Sequence, residues 1–435
     1  MSLNPLAQTA NESIRRDCPA LAGMLSRLGR ACFFPKGILS QSAEAKQQAD
    51  RYNATIGTAT EGGQAMHLAC IDECFADDLS PDELYPYAPS QGLPALRQAW
   101  RERQQSQTPS LARATTSLPV VTNALTHGLS LVGELFLDPG DEVLLPDKLW
   151  GNYRLTFAVR REARLSTFPF FDDQLRGFDV GAFEQALQER VGNKLMVILN
   201  FPNNPTGYAL SRTEAQGVVA ALTRAAEAGT RIIAVCDDAY YGMFYDDDCE
   251  TESLFGPLAS AHENILAVKC DGATKEMFVW GLRVGFLTYA TRNGTEAAYT
   301  ALEQKTAGAI RAGISNVTRP GQAVVLRALR HPAFNEQVAA KVACLSERCA
   351  AVAQAVRDPQ YADCWDVYPF NAGYFMCLRL KEVDAEQLRL HLLAEHGLGT
   401  ISLGATDLRI AFSCLECDAI PDVFARIAAG VRALR

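Results

Sequence analysis

The stretch Asn200-Phe-Pro-Asn-Asn-Pro-Thr-Gly207 follows the apolar run Leu195–Leu199, so two prolines, three asparagines and a glycine stand at the end of a buried strand. A strand-to-helix turn would use the same residues. So would a segment that fixes amide groups toward a ligand. The other strand ends break the tie. Asn123-Ala-Leu-Thr-His-Gly128 opens a helix after one apolar run, and Asp237-Asp-Ala-Tyr240 follows another. Asp271-Gly-Ala-Thr-Lys275 and then Gly281-Leu-Arg-Val-Gly285 come later. In open α/β sheets, ligands sit outside the carboxyl ends of the strands. A helix N-terminus, an asparagine, an acid, a tyrosine, a lysine and an arginine on one rim suit a dianionic phosphate and a basic heteroaromatic ring. They give the lysine an amine role.

The elements that must carry this rim read as alternating strands and helices. Strands are expected at 118–122, 142–145, 195–199, 231–236, 264–269 and 284–289, with helical periodicity at 126–136, 181–190 and 211–228. That spacing predicts an α/β fold with a mostly parallel sheet covered on both faces. After about residue 318 the pattern changes. Helical stretches at 321–329 and 332–356 lead to an apolar segment at 373–380, a helix at 385–395, two short strands and a last helix at 420–434. The expected organisation is an N-terminal arm and helix over 1–50, a large domain over 51–317 and a smaller α+β domain over 318–435. The arm carries one clear helix, at 42–51, and is expected to pack with the small domain or on a partner subunit.

The chain has 435 residues, beyond the size at which one core usually keeps growing. Its 41 basic and 50 acidic side chains give a net charge of −9, which argues against a nucleic-acid or anionic-membrane surface. The 13 cysteines are odd in number and scattered, a pattern of reduced thiols. The first residues lack the apolar core of a signal peptide, and no apolar run is long enough to span a bilayer. The expected compartment is the cytoplasm.

Taken in order, N-P-T-G, D-x-A-Y, a lysine followed eight residues later by the arginine of G-x-R-x-G, and the late Leu408-Arg-Ile-Ala-Phe-Ser413 make the chain resemble a pyridoxal-phosphate (PLP) aminotransferase of fold type I, aspartate aminotransferase-like. The resemblance covers most of the chain from Tyr87 to Arg409. It implies a seven-stranded-type large sheet, PLP as cofactor, amino acid and 2-oxo acid substrates, and a homodimer with a shared active site. Lys275 matches the lysine joined covalently to the cofactor, Asp237 the acid that pairs with the ring nitrogen, and Asn204 and Tyr240 the donors to its phenolic oxygen. Ala124, Leu125 and Thr126 occupy the turn that faces the phosphate, and Arg283 supplies a guanidinium there. Tyr87 matches a tyrosine that reaches the phosphate of the neighbouring subunit, and Trp150 an aromatic stacked on the ring. Arg409 matches the arginine that binds the substrate α-carboxylate, and Gly57 the loop that closes over the substrate.

One departure stands out. Where the family often places a serine or threonine, three residues before the lysine, this chain has Gly272, so Thr274 or Ser315 is expected to take over that phosphate contact. Arg311 resembles an arginine that binds a side-chain carboxylate across a dimer interface, and it equally suits a helix surface. A dicarboxylic, aspartate-like substrate is the expectation. Aromatic or neutral amino acids, or another PLP reaction such as β-elimination or decarboxylation, are the alternatives. Cys414-Leu-Glu-Cys417 is read as reduced cysteines rather than as part of a zinc site, and no metal is expected.

Overall fold

The computed structural model describes residues 3–34, 37–76 and 79–435. Seven strands build the large sheet: β1 (Val120–Asn123), β2 (Glu142–Pro146), β3 (Arg164–Phe168), β4 (Lys194–Leu199), β5 (Arg231–Asp237), β6 (Ile265–Gly272) and β7 (Val284–Ala290). Their order is β1-β7-β6-β5-β4-β2-β3. All neighbours are parallel except β7, which runs antiparallel to both β1 and β6.

Side-chain alternation explains the near-continuous apolar runs. In β4, Met196 and Ile198 join a core with helices α2 (Ala124–Phe136) and α5 (Glu296–Gly313). Leu195, Val197 and Leu199 face the other way, toward α3 (Val180–Gln188) and α4 (Arg212–Glu227). A parallel strand covered on both faces has no polar side to show. A further helix, α1 (Pro94–Gln107), lies against the β7 end of the sheet, where Trp100 stacks on Phe286 with ring centroids 4.1 Å apart.

The pattern missed β3. Of its five residues only Phe168 is buried, because β3 is an edge strand and needs no apolar run. A second sheet, antiparallel, has the order β8-β9-β11-β10, with β8 Trp365–Val367, β9 Phe375–Leu380, β10 Ile401–Leu403 and β11 Asp407–Ala411. It shares a core with helices α6 (Phe334–Val356), α7 (Ala385–His396) and α8 (Ile420–Ala433).

The two sheets touch at Gly207. Its φ is +71°, and a Cβ there would lie 1.8 Å from the carbonyl oxygen of Phe375 on β9. Its own carbonyl accepts from the N–H groups of Asn371 and Ala372. Only glycine meets both demands.

The N-terminal segment is more helical than its sequence pattern suggests, with helices Pro5–Asp17, Pro19–Met24 and Arg27–Ala31. The caps were the available signal. Asn4 accepts from the Leu6 N–H ahead of Pro5, and Ser26 Oγ accepts from Gly29 N–H. The helix expected at 42–51 is Ile38–Gln48. It is bonded to the region of the small sheet: Gln41 pairs with Ser402 through its side-chain amide, and Glu44 lies 2.9 Å from Arg389.

Candidate active site

The carboxyl ends of β4, β5 and β6 open on a cavity of about 270 Å³ between the two sheets. Gly57, Ala124, Leu125, Thr126, Trp150, Asn204, Asp237, Tyr240, Thr274, Lys275, Arg283 and Arg409 all line it. Residues spread over some 350 positions are brought together by strand ends, one helix start and one strand of the second sheet.

Asp237 ends β5 and is buried. Its Oδ2 accepts from the Tyr153 hydroxyl at 2.6 Å, while Oδ1 is buried without a partner among the described residues. Burial pushes its pKa up to about 6, against the pull of the Tyr153 hydroxyl and of Lys275. The neighbouring Asp238 could be confused with it in sequence, but alternation turns Asp238 to the opposite face. There it meets Lys269 and the Ser253 hydroxyl. Lys275 sits in the short helix Ala273–Glu276 after β6, with its Nζ 4.7 Å from the centre of the Tyr240 ring. Desolvation pulls its pKa down to about 8; Asp237 opposes this and Arg283 adds to it.

On the second sheet, Arg409 of β11 is buried. It donates to Asn204 Oδ1 at 3.1 Å and to the Thr55 carbonyl at 2.8 Å, and its guanidinium lies 4.2 Å from the Phe375 ring centre. Its Nε has no partner among the described residues, and burial lowers its pKa. Asn204 is held by its own turn, where its N–H donates to Asn200 Oδ1. Asn200 in turn donates to the Asp237 carbonyl. The asparagines of the N-P-T-G approach thus lock strand end to strand end.

At the start of α2 the helix has no side-chain cap, and Ala124 has φ +60°. The first N–H groups of that helix therefore remain for an anion. His127 closes the other side of the turn, its Nδ1 accepting from the Asn123 N–H. Arg283 holds a left-handed conformation, φ 56°, unusual for a side-chain-bearing residue and of the kind that gathers at ligand sites. Gly272 has a packing reason: a Cβ there would lie 2.7 Å from Gly285 Cα. Thr274 Oγ1 is buried without a partner on the cavity wall, whereas Ser315 receives a bond from Arg311 at 2.5 Å and does not line the cavity.

Tyr87 is 88% exposed and Arg311 is exposed near the C-terminus of α5; neither lines the cavity of its own chain. Ile38, Tyr153, Asn200, Trp280 and Phe375 line it without having been expected. Asn200 was within reach of sequence reasoning, at the end of its strand. Ile38 and Phe375 carry no chemical signature.

A group that carries a ring nitrogen and an anion fits this donor set. Four buried polar atoms without partners among the described residues, Asp237 Oδ1, Thr274 Oγ1, Trp280 Nε1 and Arg409 Nε, belong to residues of this one cavity. Leaving such atoms unmade costs about 1–3 kcal/mol each, so their concentration marks a ligand site. The fold and this site define a PLP-type α/β enzyme centre. The chain belongs to the family "Aminotransferase class I and II", whose profile matches residues 57–427, and members of that family use PLP. It is 23% identical over 393 residues to the mitochondrial aspartate aminotransferase of Schizosaccharomyces pombe, covering 86% of each chain. It is 22% identical to the tyrosine aminotransferase of Mus musculus over 54% of this chain and 48% of that one. An aminotransferase of Anaerococcus prevotii has the same fold, with TM-score 0.80 at 22% identity over 91% of this chain and 96% of that one.

Proposed function

We propose that this chain transfers an amino group between an L-amino acid and a 2-oxo acid such as 2-oxoglutarate in a ping-pong cycle. When bound, PLP supplies a carbon that carries the amino group and a ring that withdraws electrons from the substrate Cα. Lys275 Nζ takes the Cα proton and returns it; a lysine drawn down to about 8 has a neutral fraction for that task near physiological pH. Asp237 holds the ring nitrogen's proton through its unpaired Oδ1, while Tyr153 fixes its other oxygen. Asn204, whose Oδ1 is occupied by Arg409, keeps its amide hydrogens for the phenolic oxygen, which Tyr240 shares. Thr274, Arg283 and the N–H groups of Ala124, Leu125 and Thr126 hold the phosphate, and Trp150 covers the ring. Arg409 binds the substrate α-carboxylate, and Gly57 leaves room above Tyr240. The observation that carries this reading is that Asp237, buried and with an Oδ1 that has no partner among the described residues, and the half-buried Lys275 line one cavity.

The exposed Tyr87 and Arg311 fit a homodimer in which each copy completes the other's cavity. On that reading Arg311 selects a dicarboxylic donor such as aspartate. A second reading, an aromatic or neutral donor, draws on Ile38, Trp280 and Phe375 in the cavity wall. The proposed organisation is an arm and helix over 1–50, a large domain over 51–317 and a small domain over 318–435. The proposed compartment is the cytoplasm, which suits the buried thiols Cys236, Cys270 and Cys377. The test is the absorption spectrum of the PLP-loaded protein before and after L-aspartate, then after L-phenylalanine. Conversion by aspartate that is lost in Arg311→Ala supports the dicarboxylic reading. Conversion by phenylalanine alone supports the second. Conversion by neither, nor by any other L-amino acid, removes the transamination assignment.

A further inference from the structure

Behind the cavity, on the opposite face of β5 and β6, lies a buried ion cluster that the reaction does not touch. Lys269 is 1% exposed, pairs with Asp238 and lies 3.8 Å from Asp271. Its Nζ is 4.6 Å from the Tyr241 ring centre. Both carboxylates are otherwise satisfied. Asp238 accepts from Ser253 at 2.6 Å, and Asp271 accepts from Trp100 at 3.1 Å and Gln104 at 3.0 Å.

The sequence positions make the cluster informative. Asp238 follows Asp237 directly, and Asp271 stands four residues before Lys275. Cys236 and Lys269 are register partners across β5 and β6, as are Asp237 and Cys270. One buried cation therefore ties together the two strand ends that deliver Asp237 and Lys275. On the far side of Lys275, Glu276 is held by Arg103 at 2.7 Å and by Gln107 at 2.6 Å. Trp100, Arg103, Gln104 and Gln107 all belong to α1, so one helix grips the lysine segment at both ends. A buried ion cluster is a poor source of stability, since apolar residues of similar volume often serve as well or better.

We propose that Lys269 is a positioning residue for Asp237 and Lys275, holding their strand ends together and setting the potential behind them. This rests on the roles given above to those two residues. The groups facing Asp237 are Tyr153, Lys275, Tyr240 and, through the sheet, Asp238; those facing Lys275 are Asp237, Arg283 and Cys270. Lys269→Met leaves two carboxylates uncompensated, and the added negative potential strengthens proton binding in front of the sheet. Asp238→Asn does the reverse.

The experiment titrates the visible absorption of the PLP-loaded protein with pH, alongside melting temperature and half-reaction kinetics. The midpoint is expected to move up by about half a pH unit or more in Lys269→Met, as a unit charge across roughly one sheet thickness would require. It moves down in Asp238→Asn and returns close to wild type in the double variant. In Lys269→Met the rate of amino transfer falls about tenfold or more, with substrate KM changed about twofold or less, because Arg409 is untouched. If Lys269→Met does not fold, Asp238→Asn and the double variant decide. Lower melting temperatures with unmoved midpoints would overturn the proposal and leave a purely structural cluster. Wild-type protein that binds PLP but converts no amino acid would overturn the assigned roles instead, and a midpoint shift in the variants would still support the electrostatic link.

Discussion

Lys269 and Lys275 stand six residues apart, are drawn into opposite faces of one strand end, and have opposite fates. Lys269 meets two carboxylates and an aromatic face, which hold it charged well above the ordinary lysine range despite burial. Among the described residues Lys275 has no carboxylate within ion-pairing distance, and desolvation draws it down to about 8. Two arginines repeat the contrast. Arg348 and Arg409 are each 1% exposed. Arg348 donates to the carbonyls of Thr60 and Ser413 and pairs with Glu416 at 2.6 Å. Arg409 has one amide oxygen, one carbonyl and an Nε with no partner among the described residues. Lys269, Arg348 and Arg409 are buried, and Lys275 is half-buried. What separates framework from chemistry is whether the protein itself completes the partner set.

The sharpest way to break the first contrast is to delete its reactive member. Lys275→Ala should cost roughly 10⁴-fold in turnover, the upper end for a positioned acid–base group. Steady-state amino transfer to 2-oxoglutarate measures it, and near-normal turnover would end the assignment. Asp237→Ala should lower kcat by roughly 10²–10³-fold, as loss of a charge aimed at the reacting centre does. Fluorescence titration should show PLP still binding. Equal losses in kcat and PLP affinity would reduce Asp237 to an anchor.

The arginine pair gives the next test. Arg409→Ala should raise KM for both the amino acid and the oxo acid by roughly a hundredfold, about 2.7 kcal/mol. Arg348→Ala should mainly lower the melting temperature. A reversal of the two outcomes would contradict the contrast.

The smallest effect concerns the cofactor-free protein. The Lys275 pKa is depressed in the fold from its ordinary 10.5 to about 8, so between those values the unfolded chain binds more protons. This group's penalty is therefore full below pH 8 and disappears as pH rises toward 10.5. Melting temperature at pH 7.5 and pH 10 should differ less in Lys275→Met than in wild type, the wild type gaining more at high pH.

Much of the centre was legible because strand ends in such a sheet are where polar residues are otherwise hard to explain. Asp237 ends an apolar run and Arg409 interrupts one, Asn204 and Lys275 lie in the turns that follow two others, and the D-x-A-Y register separates Asp237 from Asp238. Tyr153 was not legible: it precedes a π-helical turn, Arg154–Val159, and its only sequence trait is an aromatic ring three residues after Trp150. β3 escaped because an edge strand lacks the apolar run that marked its neighbours. The arm escaped because its three helices bury little: Leu21, Met24 and Leu28 are exposed, so no strong apolar stripe announced them. The Lys269 cluster was invisible as a cluster, since its members look like ordinary charged residues until β5 and β6 are paired.

Ile38 belongs to a helix bonded to Ser402 and Arg389, yet it forms part of the cavity wall. The machinery of Asp237 and Lys275 and this patch of wall are therefore encoded some two hundred residues apart. For protein engineering, Ile38 is the position of the helix Ile38–Gln48 that reaches the cavity, while Gln41 and Glu44 anchor the helix. Substitutions at Ile38 should reshape what the cavity admits while every proton-handling group keeps its sequence.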